Sequence, residues 1–142
     1  MKLLTPIEAQ ALLESDERAI YLDVRSETEF AAGHPEGAYN VPLIASTPAG
    51  PMPNPDFVAT VERAFSKDTP IACGCQVGGR SARAVQMLTA AGFTNVANVI
   101  GGFAGGPDPR NGSPVAGWHA AGLPVSDQDD GRDHASVRNK EA

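Results

Sequence analysis

Cys75 heads the run Cys75-Gln76-Val77-Gly78-Gly79-Arg80, which follows an apolar segment and opens directly into Ser81-Ala82-Arg83 and a helical pattern. One thiol is thereby set at a helix N-terminus, where unpaired N–H groups and the positive end of the macrodipole favour the thiolate. A thiolate is the reactive nucleophile. Gly78 and Gly79 permit backbone angles that let several N–H groups converge on one anionic centre, so the loop is expected to act as an anion cradle. Gln76 and Val77 carry no formal charge and are expected to face its entrance. Arg80 adds a cation, with two uses open to it: its fork can position an anionic donor, or it can hold the loop together. Ser81 is expected to cap the helix and donate a hydrogen bond to the loop rather than to react. Unpaired cysteines are more often plain packing. That reading suits Cys73, which ends the apolar strand pattern Pro70-Ile71-Ala72-Cys73 and lies too close in sequence to Cys75 for easy disulfide geometry.

The loop has company. Upstream stand Asp23-Val24-Arg25, then Glu29, then Gly33-His34-Pro35-Glu36-Gly37-Ala38-Tyr39-Asn40-Val41-Pro42; downstream stand Gly101-Gly102 and Trp118-His119-Ala120-Ala121-Gly122-Leu123-Pro124-Val125. Together with Cys-x-x-x-x-Arg-Ser after a strand, these motifs, in this order and spacing, resemble a single-domain rhodanese over roughly residues 1–125. The resemblance implies a rhodanese-like α/β fold and a sulfurtransferase. Cys75 would take the sulfane sulfur of a donor such as thiosulfate or a low-molecular-weight persulfide. The resulting Cys75 persulfide would pass that sulfur to a thiol or to cyanide. No cofactor and no metal are implied.

Asp23, Arg25, Glu29 and His34 belong to the family signature, and a buried ion-pair and turn network bracing the active loop accounts for them. Sulfur exchange between soft sulfurs needs no strong general acid. Trp118 is expected to anchor the core. Three other readings are open. A cysteine phosphatase also uses a Cys-to-Arg anion loop, but places five residues between the two, whereas Gln76 to Gly79 are only four. It would also need an acid for the leaving group, and only Asp108 is available. A non-catalytic rhodanese-like binding or regulatory module is a second alternative, although the retained Cys75 and Arg80 speak against it. A persulfide carrier serving a partner protein is the third.

The elements that must position these residues alternate strand and helix. Thr5-Pro6-Ile7-Glu8 is a capping box that starts a helix to about Glu14, and Ser26-Glu27-Thr28-Glu29 starts a second, closed by Gly33. Strands are expected at Ala19 to Val24, Tyr39 to Val41, Pro70 to Cys73 and Val96 to Ile100, with Leu3-Leu4 as a short edge. Asn54-Pro55 is expected to cap a helix carrying Phe57, Val58, Val61, Ala64 and Phe65, after a Pro-rich loop from Ala45 to Pro53. The helix Ser81 to Ala91 presents Ala84, Val85, Leu88 and Ala91 as one stripe and stops at Gly92. The order implies an open parallel sheet of about five strands with helices on both faces, with ligands bound at the carboxyl ends of the strands. Two segments stand apart. Residues 103–117 form a Gly/Pro-rich loop insertion, and residues 126–142 form a polar tail expected to be flexible.

One domain is the natural count for 142 residues, and 42% hydrophobic content fills a core. No apolar run approaches the ~20 residues that span a bilayer, so no membrane partner is expected, and the start lacks a secretory leader pattern. A net charge of -6 disfavours a nucleic-acid partner. Two closely spaced cysteines fit a reducing compartment, and a cytoplasmic location is expected. His34, His119 and His134 lack ligand spacing. The expected partners are therefore a small sulfur donor, a thiophilic acceptor and a possible protein acceptor.

Overall fold

The computed structural model describes residues 1–139. Strand β1 (Lys2–Leu4) runs into α1 (Pro6–Ser15), which starts where the Glu8 amide donates to Thr5 Oγ1 and the Thr5 amide to Glu8 Oε1. Then come β2 (Ile20–Asp23), α2 (Glu27–Ala32), β3 (His34–Pro35) and β4 (Tyr39–Asn40). A second reciprocal cap, between Ser26 and Glu29, begins α2. The hairpin β5 (Ile44–Thr47) and β6 (Gly50–Pro53) precedes α3 (Phe57–Ala64), β7 (Ile71–Gly74), α4 (Gly79–Ala90) and β8 (Val96–Val99). The described residues continue through β9 (Gly106–Pro107), β10 (Pro114–Val115), β11 (Val125–Ser126) and α5 (His134–Arg138).

Five strands form one parallel sheet in the order β1-β8-β7-β2-β4. The two-residue side-chain period of its strands sends alternate residues into two cores. Leu22, Ile71, Cys73 and Val96 meet α3, α4 and α5 through Val61, Leu88 and Val137. Tyr21, Ala72 and Val99 meet α1, α2 and Trp118 through Ala9 and Phe30. Helices therefore cover both faces, as the strand–helix alternation implies. Trp118 is fully buried, sets its ring edge-on to Tyr21 at 5.3 Å, and donates its indole N–H to Pro124 O at 2.7 Å. No helix among the described residues is long and apolar enough to cross a membrane.

Away from the active site, the structure departs from sequence expectation in four places. The Pro-rich loop is a two-stranded ribbon, with Ile44 opposite Pro53 and Ser46 opposite Pro51; a free-standing pair tolerates prolines that a central strand would not. Asn54 does not cap α3. Its Oδ1 accepts the Asp56 amide at 3.0 Å and its Nδ2 donates to Pro42 O at 2.9 Å, tying the helix entry to the preceding turn. The insertion folds back as the small antiparallel pair β9–β10.

The polar tail is the fourth. Its described part lies against the domain, where β11 pairs with β3, the Asn40 amide donates to Arg132 O at 2.9 Å, and Val137 is 2% exposed among α3 and β4 residues. A single apolar residue on a capped turn of helix, with Asp133 accepting the Ser136 amide, is a weak sequence signal for docking. Residues 140–142 of that tail lie outside the described residues.

Candidate active site

Strand β7 ends at Gly74, where a Cβ would overlap the Tyr21 hydroxyl, and the chain turns at once into the Cys75 loop. Gly78, at φ 120°, is the residue that turns the loop into α4, a backbone angle that side chains other than hydrogen resist. The helix therefore begins at Gly79, two residues earlier than expected, and its first turn faces back toward the sulfur.

Cys75 Sγ sits at the floor of this turn, 2% exposed. Among the described residues two donors reach it, the Gly78 amide at 3.1 Å and the Ser81 hydroxyl at 3.3 Å. The cradle expected from the glycines is thus one amide and one hydroxyl around the free thiol. Ser81 does not cap the helix, because Gly78 already occupies the cap; it stands in the first turn, fully buried. Its single proton has three acceptors in reach, Asn98 Oδ1 at 2.5 Å, Gly78 O at 3.1 Å and Cys75 Sγ at 3.3 Å. Asn98 is a site residue that sequence reasoning missed. It is 3% exposed on β8, and a lone asparagine within an apolar strand pattern was the one available signal.

Cys73 is fully buried in β7, and burial, then the nearby Cys75 sulfur and Asp23, push its thiol well above the ordinary range. Its side chain packs in the core among Leu22, Ile71 and Val85. Both cysteines are free thiols.

The expected bracing network separates into two ion pairs and one packed ring. Asp23 and Arg25 form a buried fork, with Arg25 Nη2 2.8 Å from Asp23 Oδ2 and side-chain exposures of 3% and 1%. Arg25 reaches onward to the loop, donating to Gln76 Oε1 at 3.0 Å, to Gly33 O at 2.7 Å, and lying 4.5 Å from the centre of the Phe103 ring. Glu29 takes Arg80 in a second fork, 2.8 Å and 3.1 Å. The Arg80 guanidinium thereby ties the loop to α2. His34 belongs to neither pair. It stacks on Phe30 at 3.7 Å, with Nδ1 2.6 Å from Phe30 O, because a two-residue strand turns its ring inward. His34 is a packing residue.

Arg80 hydrogen bonding holds the Glu29 carboxyl at about 2, against an ordinary 4.5. A depressed carboxyl stabilises the fold above its unfolded value and loses that contribution as pH falls through the folded value. With both side chains about a third exposed, the pair contributes about 1 kcal/mol after screening. Glu29→Gln is therefore expected to lower stability by about 1 kcal/mol at neutral pH. In urea melts that deficit should shrink as pH drops from 4.5 toward 2. A deficit unchanged by acid would show that the charge is not its source.

The segment after β8 clamps the loop from above. Gly102, at φ 54°, lets the Phe103 amide donate to Cys75 O at 2.8 Å and the Ala104 amide to Gln76 O at 2.9 Å. A Cβ on Gly102 would overlap Cys75 O and come within 2.8 Å of Gln76 O. Gly37, also at positive φ, has open space around it. Gly37→Ala is expected to cost about 1 kcal/mol from backbone angle alone and Gly102→Ala more than twice that. Equal denaturation midpoints for the two variants would remove the clamp from the account.

In the insertion, Asp108 accepts from Arg110 Nη2 at 2.8 Å and Nε at 3.0 Å, and that hydrogen bonding lowers its carboxyl below the usual range. A carboxylate held ionised is a poor acid for a leaving alkoxide. No group of three or more His, Cys, Asp or Glu among the described residues is placed to hold a metal.

The pattern that defines the rhodanese-like domain matches residues 5–106, most of the chain and all of the loop and its two ion pairs. The chain belongs to the rhodanese-like domain family. Among its relatives, thiosulfate sulfurtransferase 16, chloroplastic, of Arabidopsis thaliana is 44% identical over 95 residues, covering 67% of this chain and 78% of that one. Thiosulfate sulfurtransferase GlpE of Pseudomonas fluorescens is 33% identical, covering 72% and 81%. The crystal structure of Rv0390 from M. tuberculosis superposes with a TM-score of 0.73 at 31% identity, over 90% of this chain and 98% of that one. The rhodanese pattern stops at Gly106, inside the 103–117 insertion, so β10 and Trp118 lie outside it.

Proposed function

We propose that this rhodanese-like domain is a sulfurtransferase that carries sulfane sulfur on Cys75. The observation that carries the reading is Cys75 Sγ held between the Gly78 amide and the Ser81 hydroxyl at the head of a 12-residue helix. Relatives named thiosulfate sulfurtransferase support it. The Cys75 thiolate attacks the outer sulfur of thiosulfate. The bond between the two donor sulfurs breaks, sulfite leaves with its electron pair, and Cys75 becomes a persulfide anion. Cyanide or a thiolate then attacks the terminal sulfur, the enzyme S–S bond breaks, and the Cys75 thiolate returns. In the attacking thiolate and in the persulfide anion alike, the charge lies on sulfur beside the same two donors and the helix N-terminus. Gln76, Val77 and Gly79 shape the loop rather than react, and Arg80, occupied by Glu29, fixes it.

A binding-only module has no use for two donors converging on a buried sulfur. A protein thiol as acceptor, and a reducing, cytoplasmic setting for the two free thiols, are part of this proposal. The acidic balance of the chain supports a partner other than nucleic acid.

The test is direct. Reduced protein is incubated with thiosulfate, its intact and peptide masses are read without reductant, and cyanide is then added and thiocyanate assayed. Gain of one sulfur on the peptide carrying Cys75, and its loss to cyanide, are expected. Failure to load from thiosulfate and from glutathione persulfide, in folded protein, would overturn the assignment.

A further inference from the structure

A cleft of about 530 Å³ opens beside the active loop, between the start of β1, the end of β8 and the insertion. Its size falls within the ~300–1,000 Å³ of small-molecule sites. One wall is Val77, Gly78 and Gly79, the backbone that presents the Gly78 amide to Cys75. Leu3, Ile100, Ala82, Pro107 and Pro109 supply most of the rest. Val77 stands 53% exposed at this spot, an uncovered aliphatic group on the loop itself. The outer wall is held to the loop by backbone contacts, since the Ala104 amide donates to Gln76 O and a Cβ on Gly106 would come within 2.7 Å of Val77 O.

Among the described residues two polar side chains line the cleft, and each already has a partner. Asn98 Oδ1 accepts from Ser81, and the Arg110 guanidinium is forked onto Asp108. The Arg110 fork through Nε and Nη2 pairs its charge with the Asp108 carboxylate, so the cleft offers little net positive charge to an oxyanion. Arg80, the cation at the end of the loop, is likewise taken by Glu29. Thiosulfate and cyanide are small and charged and leave the apolar walls wet. A compound with an alkyl or aryl body gains by covering them.

We infer that the cleft holds the apolar body of a low-molecular-weight thiol, the acceptor of the Cys75 sulfur, which leaves as the corresponding persulfide. The inference rests on the sulfurtransferase reading above. In the transfer, the acceptor thiolate attacks the terminal sulfur of the Cys75 persulfide. The enzyme S–S bond breaks as the new one forms, Cys75 leaves as thiolate, and the acceptor departs as R–S–SH. Leu3, Ile100 and the insertion prolines thereby select acceptors by their carbon skeleton.

The protein is loaded with thiosulfate, or with glutathione persulfide, and discharged with ethanethiol, butanethiol, hexanethiol and cyanide. The alkanethiols share nearly the same acidity, so differences report the chain. Burial of each methylene is worth up to about fourfold, and kcat/KM is expected to rise at least about tenfold from ethyl to hexyl. Leu3→Asp and Pro109→Asp, one on the edge strand and one on the insertion, should flatten the series and leave cyanide discharge unchanged. A flat series in the unaltered protein, with cyanide discharge intact, overturns the cleft assignment and spares the sulfurtransferase reading. Unreactive 1-hexanol gives a readout free of chemistry. Shifts confined to the methyls of Val77, Ala82 and Ile100, lost in either variant, support the site even where no sulfur loads, and their absence overturns it.

Discussion

Cys75→Ser is expected to lower thiosulfate-dependent sulfur transfer by about 10³-fold or more while the domain stays folded. Serine keeps the shape of the loop floor and still accepts the Gly78 amide that reaches Sγ at 3.1 Å. It has no ionised form near neutral pH and no soft sulfur on which to hold a second one. Because Cys75 is 2% exposed and packs within the core that includes Ala84 and Leu88, the stability change should stay within about 1 kcal/mol. Initial rates of thiocyanate formation, read beside the urea midpoint, separate the two effects. A folded variant retaining more than a few per cent of the rate would remove Cys75 as the carrier. Cys73→Ala, by contrast, should leave the sulfur mass on Cys75 unchanged, because its buried thiol stays protonated.

The second large effect falls on stability. Arg25→Met is expected to cost about 3–5 kcal/mol, because it strands the Asp23 carboxylate in a site 1% exposed. That is a large share of the ~5–15 kcal/mol a domain of this kind has in total. Arg25 also carries bonds to Gln76 and to Gly33 O, so its loss frees the active loop on the side facing α2. The double variant Asp23→Asn with Arg25→Met removes both charges. It should recover a good part of the loss, so that the two single changes sum to more than the double. Additive midpoints in urea would mean that the pair is not coupled and that Arg25 acts through packing on Phe103 alone.

These two residues also show how local patterns and tertiary placement divide the work. Asp23 and Arg25 are two apart on a strand end, and nothing in that spacing says that the fork closes on itself and then extends to Gln76 51 residues away. Glu29 reads in the sequence as the second half of a capping box, and it is one: its Oε1 accepts the Ser26 amide at 3.1 Å. Its use of the same carboxylate to hold Arg80 could not be read there. The Arg80–Glu29 pair spans 51 residues and forms only because the fold brings α2 beside α4.

The local signals were strong wherever one short stretch contains both partners. The Thr5–Glu8 and Ser26–Glu29 boxes, the glycine turn into α4 and the buried parallel strands are all of this kind, because backbone capping and side-chain period are properties of neighbouring residues. By itself the chain determined its strand–helix order, the thiol at a helix N-terminus and the apolar faces that make a two-sided sheet. Only the tertiary structure decided what meets across long separations. It set Asn98 against Ser81, removed His34 from the bracing pairs, laid Val137 of the tail into the core, and stood the insertion against the loop to leave an apolar cleft. Those contacts depend on the strand order β1-β8-β7-β2-β4, which places residues distant in sequence side by side, and a periodic pattern carries no record of which strand will be its neighbour.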